Sequence, residues 1–306
     1  MSLAILLAAM ACGREERTSA PDAGLWDAHT HLSLYGLDGI DSLLAHGVTG
    51  VRDLGSDLEA SLAWRGEIAA GRRRGPRFYT AGVILDGPKE SATPRWTLAT
   101  VDEAERAVDS LSRRGVDFIK THNGLSRPVY FAVLRRARER GLRVASHLPR
   151  GVAAWEAADS GAGSIEHAAE SILASPIYAG YAATVDEAIA WWRSPAGDAA
   201  LQRLAATSVA VTPTLALYAA NVDRPDAPAE REGRRRVLAF LSELTRRMYD
   251  AGIILLAGSD AGPRDGPVPG ASLHQEMARL REAGIPDSAV RAAASTNIVD
   301  WLGARP

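Results

Sequence analysis

The stretch Leu25-Trp26-Asp27-Ala28-His29-Thr30-His31-Leu32 reads as a β-strand that starts apolar and ends in two histidines spaced by one residue. Alternate residues of a strand share a face, so His29 and His31 project together near its C-terminal end. Two imidazoles facing a packed interior would displace apolar side chains and leave polar nitrogens unsatisfied unless something binds them. That is the geometry of a metal-ligand pair.

Outward from this strand, short runs rich in Val, Ile and Leu alternate with longer segments of helical periodicity, which is the pattern of βα units and a parallel sheet. The runs are Leu25–Leu32, Gly47–Leu54, Arg77–Ala81, Val116–Thr121, Arg143–Leu148, Ser164–His167, Val209–Leu215 and Ile253–Ser259. Helical stretches such as Val101–Arg114, Pro128–Arg140 and Val237–Ala251 lie between them. Eight such units predict an α/β chain folded as one (β/α)8 TIM barrel, a fold that takes about 250 residues. Three connections after strands are longer than tight turns: Asp86–Trp96, Glu170–Gly197 and Ala219–Gly233. Segments after strands form the functional face of such a barrel, so these are the expected lids, with Trp96, Trp191 and Trp192 as pocket-lining or edge-covering residues.

Composition narrows the function classes. The chain has 306 residues, 46% hydrophobic and 24% charged, with a formal net charge of -2. Its arginine clusters at Arg72–Arg74 and Arg234–Arg236 sit among acidic and apolar residues, which argues against nucleic acid as a partner. A single cysteine, Cys12, excludes an internal disulfide and a thiolate metal cluster, leaving His, Asp, Glu or a modified Lys as ligands. Cys12 also ends the apolar run Leu3–Ala11, too short for a membrane span. With Ala9-Met10-Ala11 before it, Cys12 resembles a bacterial lipobox, which predicts an export segment over residues 1–24 and membrane attachment through a lipidated cysteine. A packed N-terminal helix, and a cytoplasmic protein, is the alternative.

The other polar residues of interest also fall at strand ends. Lys120 closes Phe118-Ile119-Lys120, His147 closes Val144-Ala145-Ser146-His147, His167 closes Ile165-Glu166-His167, and Asp260 follows Leu255–Ser259. Each has an ordinary reading alone: a snorkelling lysine, satisfied core histidines, a helix-capping aspartate. Together they mark one rim. His122 shares the facing of Lys120 and is a weaker candidate for substrate contact, while His46 and His274 read as surface or packing residues and Asp53 as the partner of a neighbouring arginine.

Trp26-Asp27-Ala28-His29-Thr30-His31-Leu32, Ser164-Ile165-Glu166-His167 and Gly258-Ser259-Asp260-Ala261-Gly262 resemble the motifs of the amidohydrolase superfamily, over roughly Leu25 to Asn297. Gly47-Val48-Thr49-Gly50-Val51-Arg52-Asp53 and Ser295-Thr296-Asn297 are similar to the branch that includes imidazolonepropionase-like proteins and zinc-dependent prolidases and carboxypeptidases, although Ile298 stands where that branch has Pro. The resemblance implies a hydrolase of amide, peptide or related C–N or ester bonds, acting on a small or short peptide-like substrate with two divalent ions, zinc being the expected metal. His29, His31 and Asp260 would hold one ion, His147 and His167 the second, and a carboxylated Lys120 would bridge both. Catalysis would rest on Asp260 as proton shuttle, with Lys120 and His147. Relatives carry a small β-sandwich for which residues 25–306 leave no room, so a bare barrel is expected. The competing readings are a mononuclear deaminase-type member, which lacks the bridging lysine, and a surface-anchored binding barrel without turnover. No single Arg or Lys is assignable to a substrate carboxylate from sequence.

Overall fold

A computed structural model describes residues 24–88, 94–222, 230–261 and 268–303. Cys12 and its apolar run, Gly262 of the third motif, and parts of the Asp86–Trp96 and Ala219–Gly233 connections lie outside the described residues. No helix among the described residues is long and apolar enough to cross a membrane.

The strands are β1 Leu25–Thr30, β2 Val48–Asp53, β3 Arg77–Thr80, β4 Ile84–Asp86, β5 Arg95–Thr97, β6 Ile119–Thr121, β7 Val144–Ser146, β8 Ser164–Glu166, β9 Ala210–Thr212 and β10 Ile254–Leu255. All pair in parallel, in two ladders of order β1-β2-β3 and β10-β9-β8-β7-β6-β4-β5. Single backbone contacts span both gaps between the ladders. Ala28 N donates to Ala257 O at 2.9 Å, Asp260 N donates to His29 O at 2.8 Å, and Asp117 N donates to Thr80 O at 2.9 Å. The eight expected strands therefore follow one another in space as they do in sequence. The reading missed β4 and β5, a three-residue parallel pair grafted beside β6. Among the described residues every strand belongs to one of the two ladders.

Alternation places the site. On β6 to β9, Ile119, Val144, Ile165 and Val211 belong to the large apolar cluster shared with the helices. Phe118, Ala145 and Ala210 belong to a second cluster with Trp26, Leu256 and Trp301, which fills the barrel. Two residues further along, on the same inward face, stand Lys120, His147 and Thr212, so the polar layer lies directly on the apolar plug. Local signals set the helices. Val101–Arg113 starts at a reciprocal cap, in which Glu103 N donates to Thr100 Oγ1 at 3.2 Å and Thr100 N donates to Glu103 Oε2 at 3.0 Å.

The structure fills in two expectations about the loops. Glu170–Gly197 is longer than a tight turn because it is mostly helical, with Val185–Trp192 as its central helix. The tryptophans take the edge-covering role. Trp192 is fully buried in the apolar core, Trp191 stacks on Trp155 with centroids 5.3 Å apart, and Trp96 packs against the main cluster. Burying these rings against neighbouring helices removes more apolar surface from water than lining a polar cavity would.

Candidate metal centre

A cavity of about 140 Å³ opens at the strand ends, lined by His29, His31, Lys120, His147, His167 and Asp260 together with Ile84, Arg95, His122, Glu170 and Leu217. All six residues expected as ligands thus meet in one place. His29, His31 and Asp260 each offer a ligand atom within 4.8 Å of the others.

The imidazoles are oriented by what binds their inner nitrogens. His29 Nδ1 donates to Glu166 Oε2 at 2.9 Å, and His31 Nδ1 donates to Gly55 O at 2.7 Å. His167 Nδ1 shares a hydrogen bond with the Thr214 hydroxyl at 3.0 Å. A carboxylate and a carbonyl can only accept, so both His29 and His31 present a bare Nε2, at 3.5 Å and 3.3 Å from Asp260 Oδ1. His29 Nε2, both ring nitrogens of His147 and Lys120 Nζ are buried without a hydrogen-bond partner among the described residues. Buried polar atoms in native proteins are almost always satisfied, and this many orphans around one cavity fit a site that binds cations.

Backbone geometry completes the set. His167 and Asp260 adopt φ of 67° and 47°, a left-handed conformation that is strained for residues with a side chain. On β8 the inward face belongs to Ser164 and Glu166, so strict alternation would turn His167 outward; the left-handed turn brings it back over the barrel. Gly258 meets a close approach: a Cβ there would lie 2.6 Å from Thr212 Cγ2 and 2.7 Å from His29 Cβ.

The electrostatics follow from burial. Burial pushes His29 down to about 3, and it takes His147 well below its ordinary value, helped by neighbouring His167 and His122. Burial also lowers the Lys120 amine to about 8. For Asp260 burial acts upward, but the neighbouring imidazoles of His29, His31 and His167 outweigh it and hold the carboxyl far below the usual range. The result is neutral imidazoles at His29, His147 and His167 beside an ionised carboxylate.

Sequence reasoning missed the residues behind the ligands. Glu166 is fully buried; Arg52 Nη2 donates to its Oε1 at 3.0 Å and Ser164 Oγ at 2.6 Å. Arg52 is itself fully buried, its Nε donating to Ala28 O at 2.7 Å and its guanidinium lying 4.2 Å from the Trp301 ring. Burial would raise the Glu166 carboxyl, yet Arg52 and His29 overcome it and keep it well below its ordinary value. The available signal was a charged residue at alternation distance inside a quoted motif. Asp53 corrects an expectation: its oxygens accept from Leu32 N, Ser56 Oγ and Thr80 Oγ1 rather than from an arginine. His122 lies at the cavity, its ring 4.4 Å from that of His147, whereas His274 donates through Nε2 to His46 O away from the lining.

No protein-family model matches the sequence, and no curated protein matches it. Solved structures do. Bottromycin amidohydrolase is similar at 26% identity and a TM-score of 0.74, over 92% of this chain and 68% of that one. A Bifidobacterium longum protein assigned as a prolidase shows 25% identity and a TM-score of 0.68, over 92% of this chain and 69% of its own. A Xaa-Pro dipeptidase with methionine bound in its active site shares the fold, at 19% identity, a TM-score of 0.67, and coverage of 92% and 75%. These structural neighbours are amidohydrolase-superfamily proteins, as the motifs imply.

Proposed function

We propose that this chain is a metal-dependent hydrolase that cleaves amide or peptide bonds, or related C–N and ester bonds, in small or short peptide-like substrates. Two divalent ions, zinc in the first instance, would be held by His29, His31 and Asp260 on one side and by His147 and His167 on the other, with Lys120 between. The observation that carries this reading is the set of imidazoles whose Nδ1 atoms bond Glu166, Gly55 and Thr214 and whose rings line one cavity. Inner-nitrogen partners of this kind, which fix the tautomers of His29 and His31, characterise metal-binding histidines. When bound, the ions supply Lewis acidity towards a carbonyl oxygen and increase the acidity of water.

The remaining chemistry belongs to the chain. Lys120, buried and lowered to about 8, has a larger neutral fraction than a surface lysine. Its lone pair can add to carbon dioxide, the nitrogen then losing a proton, and the resulting carbamate would supply the anionic group that two cations need between them. Asp260, ionised, accepts the proton of the attacking water and delivers it to the departing nitrogen. Arg52 and Glu166 keep His29 from rotating during these transfers.

Metal analysis of the purified protein should find close to two divalent ions per chain. Chelation should stop, and zinc should restore, amine release from a panel of dipeptides and N-acyl amino acids. Protein that takes up no metal from zinc and turns over no panel member would instead be a binding barrel. We also propose, from the apolar run before it, that Cys12 is lipidated after export. Labelled fatty acid should enter the wild type and not Cys12→Ala, with turnover equal in both; equal labelling would sink the idea.

A further inference from the structure

We infer that Arg95 binds a carboxylate of the substrate, so that this site selects acids whose carboxylate lies close to the scissile carbon–nitrogen bond, such as the C-terminal residue of a dipeptide or an N-acyl amino acid. The inference rests on the hydrolase reading and adds a specificity residue to it.

Register brings Arg95 to the site. Ile84 of β4 pairs with Lys120 of β6 on one side and with Arg95 of β5 on the other. Lys120, Ile84 and Arg95 therefore stand abreast on three neighbouring strands, and all three line the cavity. At the usual spacing the outer two Cα atoms are about 10 Å apart, within the combined reach of two long side chains. β5 is three residues long and forms the end of its ladder, and what it contributes to the cavity is Arg95.

Among the described residues the guanidinium is held from one side only. Arg95 Nη1 donates to Asp86 Oδ2 at 2.5 Å. Asp86 is fully buried, and its other oxygen accepts from Gly87 N at 2.9 Å and Gly124 N at 2.8 Å. Both glycines are needed for that grip, since a Cβ at Gly124 would come 2.6 Å from Asp86 Oδ1 and one at Gly87 would strike the Gly124 carbonyl. Asp86 Oδ2 also lies 3.3 Å from His122 Nδ1, and His122 packs beside His147. Arg95 is thus linked to the proposed second ligand pair through Asp86 and His122.

The opposite edge bonds nothing among the described residues. Arg95 Nε is buried and has no hydrogen-bond partner among the described residues. Nε and Nη2 form the side of a guanidinium that takes a carboxylate through two parallel bonds. A donor on a permanently charged group, removed from water and unpaired, is costly to keep, and a substrate carboxylate relieves it. Glu170, the other charged lining residue outside the proposed ligand set, follows β8, on the far side of β6 and β7 from β5, which leaves Arg95 free to take an anion.

The test compares matched pairs: dipeptides and N-acetyl amino acids with a free carboxylate, and the same compounds capped as primary amides. Hydrolysis is measured for wild type, Arg95→Met and Arg95→Lys, and binding of the corresponding free amino acids and their amides is followed by calorimetry. Wild type should favour free acids by about 10- to 100-fold in kcat/KM, chiefly through KM. Arg95→Met should erase that preference, lowering kcat/KM for free acids far more than for capped compounds, and Arg95→Lys, which keeps the charge without the fork, should fall between. Equal use and equal binding of acids and amides by wild type, or a preference that survives in Arg95→Met, overturns the assignment. Should no compound be hydrolysed, the hydrolase reading fails while the binding preference still decides Arg95. If Arg95→Met melts far below wild type, Arg95→Lys carries the comparison.

Discussion

The two halves of the ligand set are held in different ways. On one side, His29 and His31 each commit Nδ1 to an acceptor of the protein, and Asp260 closes the group. On the other, only His167 has such a partner; both nitrogens of His147 and Lys120 Nζ are buried without one among the described residues. The first half is oriented by the fold before an ion arrives. The second is oriented by packing and by whatever binds between the halves, so it should be the more sensitive to loss of the bridge. Orphaned polar atoms at that place fit a site that a ligand, rather than the chain, would complete.

Removing the bridge should have the largest effect. Lys120→Ala should lower kcat by at least about 10³-fold, beyond the 10- to 100-fold typical of losing a group behind a ligand, with metal lost together with activity. Short carboxylic acids that fit the vacated space should restore part of both. Full activity in Lys120→Ala without any additive would refute the bridge and point to a mononuclear site.

Asp260→Asn keeps size and an oxygen ligand but cannot take a proton. Its kcat should fall by roughly 10²-fold or more, while metal content falls less than in His29→Ala. Near wild-type turnover would reduce Asp260 to a ligand or a structural cap.

Glu166→Gln sharpens the comparison, because it strips the counter-charge from Arg52 and weakens the hold on His29 while removing no hydrogen bond from the second half. A buried charge left unpaired costs about 3 to 5 kcal/mol, which a lowered melting temperature should register in metal-free protein. Metal affinity should drop by about 10- to 100-fold. A melting temperature equal to wild type would mean that Arg52 finds another partner.

The smallest effect belongs to Thr214→Val, which removes one neutral hydrogen bond from His167 and nearly conserves volume. Affinity for one of the two ions should weaken by about 10-fold, with stability little changed. If Thr214→Val damages metal binding more than Glu166→Gln does, the assignment of the firmly held half is wrong.

Much of this architecture was legible. Alternation and strand-end position located Lys120 and His147 because side-chain direction repeats every two residues, a local property. The helix Val101–Arg113 announced itself through Thr100 and Glu103 for the same reason. His167 was located correctly for an incomplete reason: its place on the rim depends on a left-handed backbone that no residue type at that position signals. β5 was invisible, since Arg95-Trp96-Thr97 carries no alternation distinguishable from a loop and becomes a strand only by lying against β4.

The sequence by itself determined the βα order, the apolar plug and the ligand types at the strand ends, all of which depend on neighbours in the chain. Tertiary structure alone decided what stands behind them. Glu166 reaches His29 across 137 residues and Arg52 across 114, contacts that exist only because closure of the barrel sets β1, β2 and β8 around one interior. The strength of those contacts, and the pKa values they impose, come from exclusion of water, which no stretch of chain achieves before the barrel has closed around it.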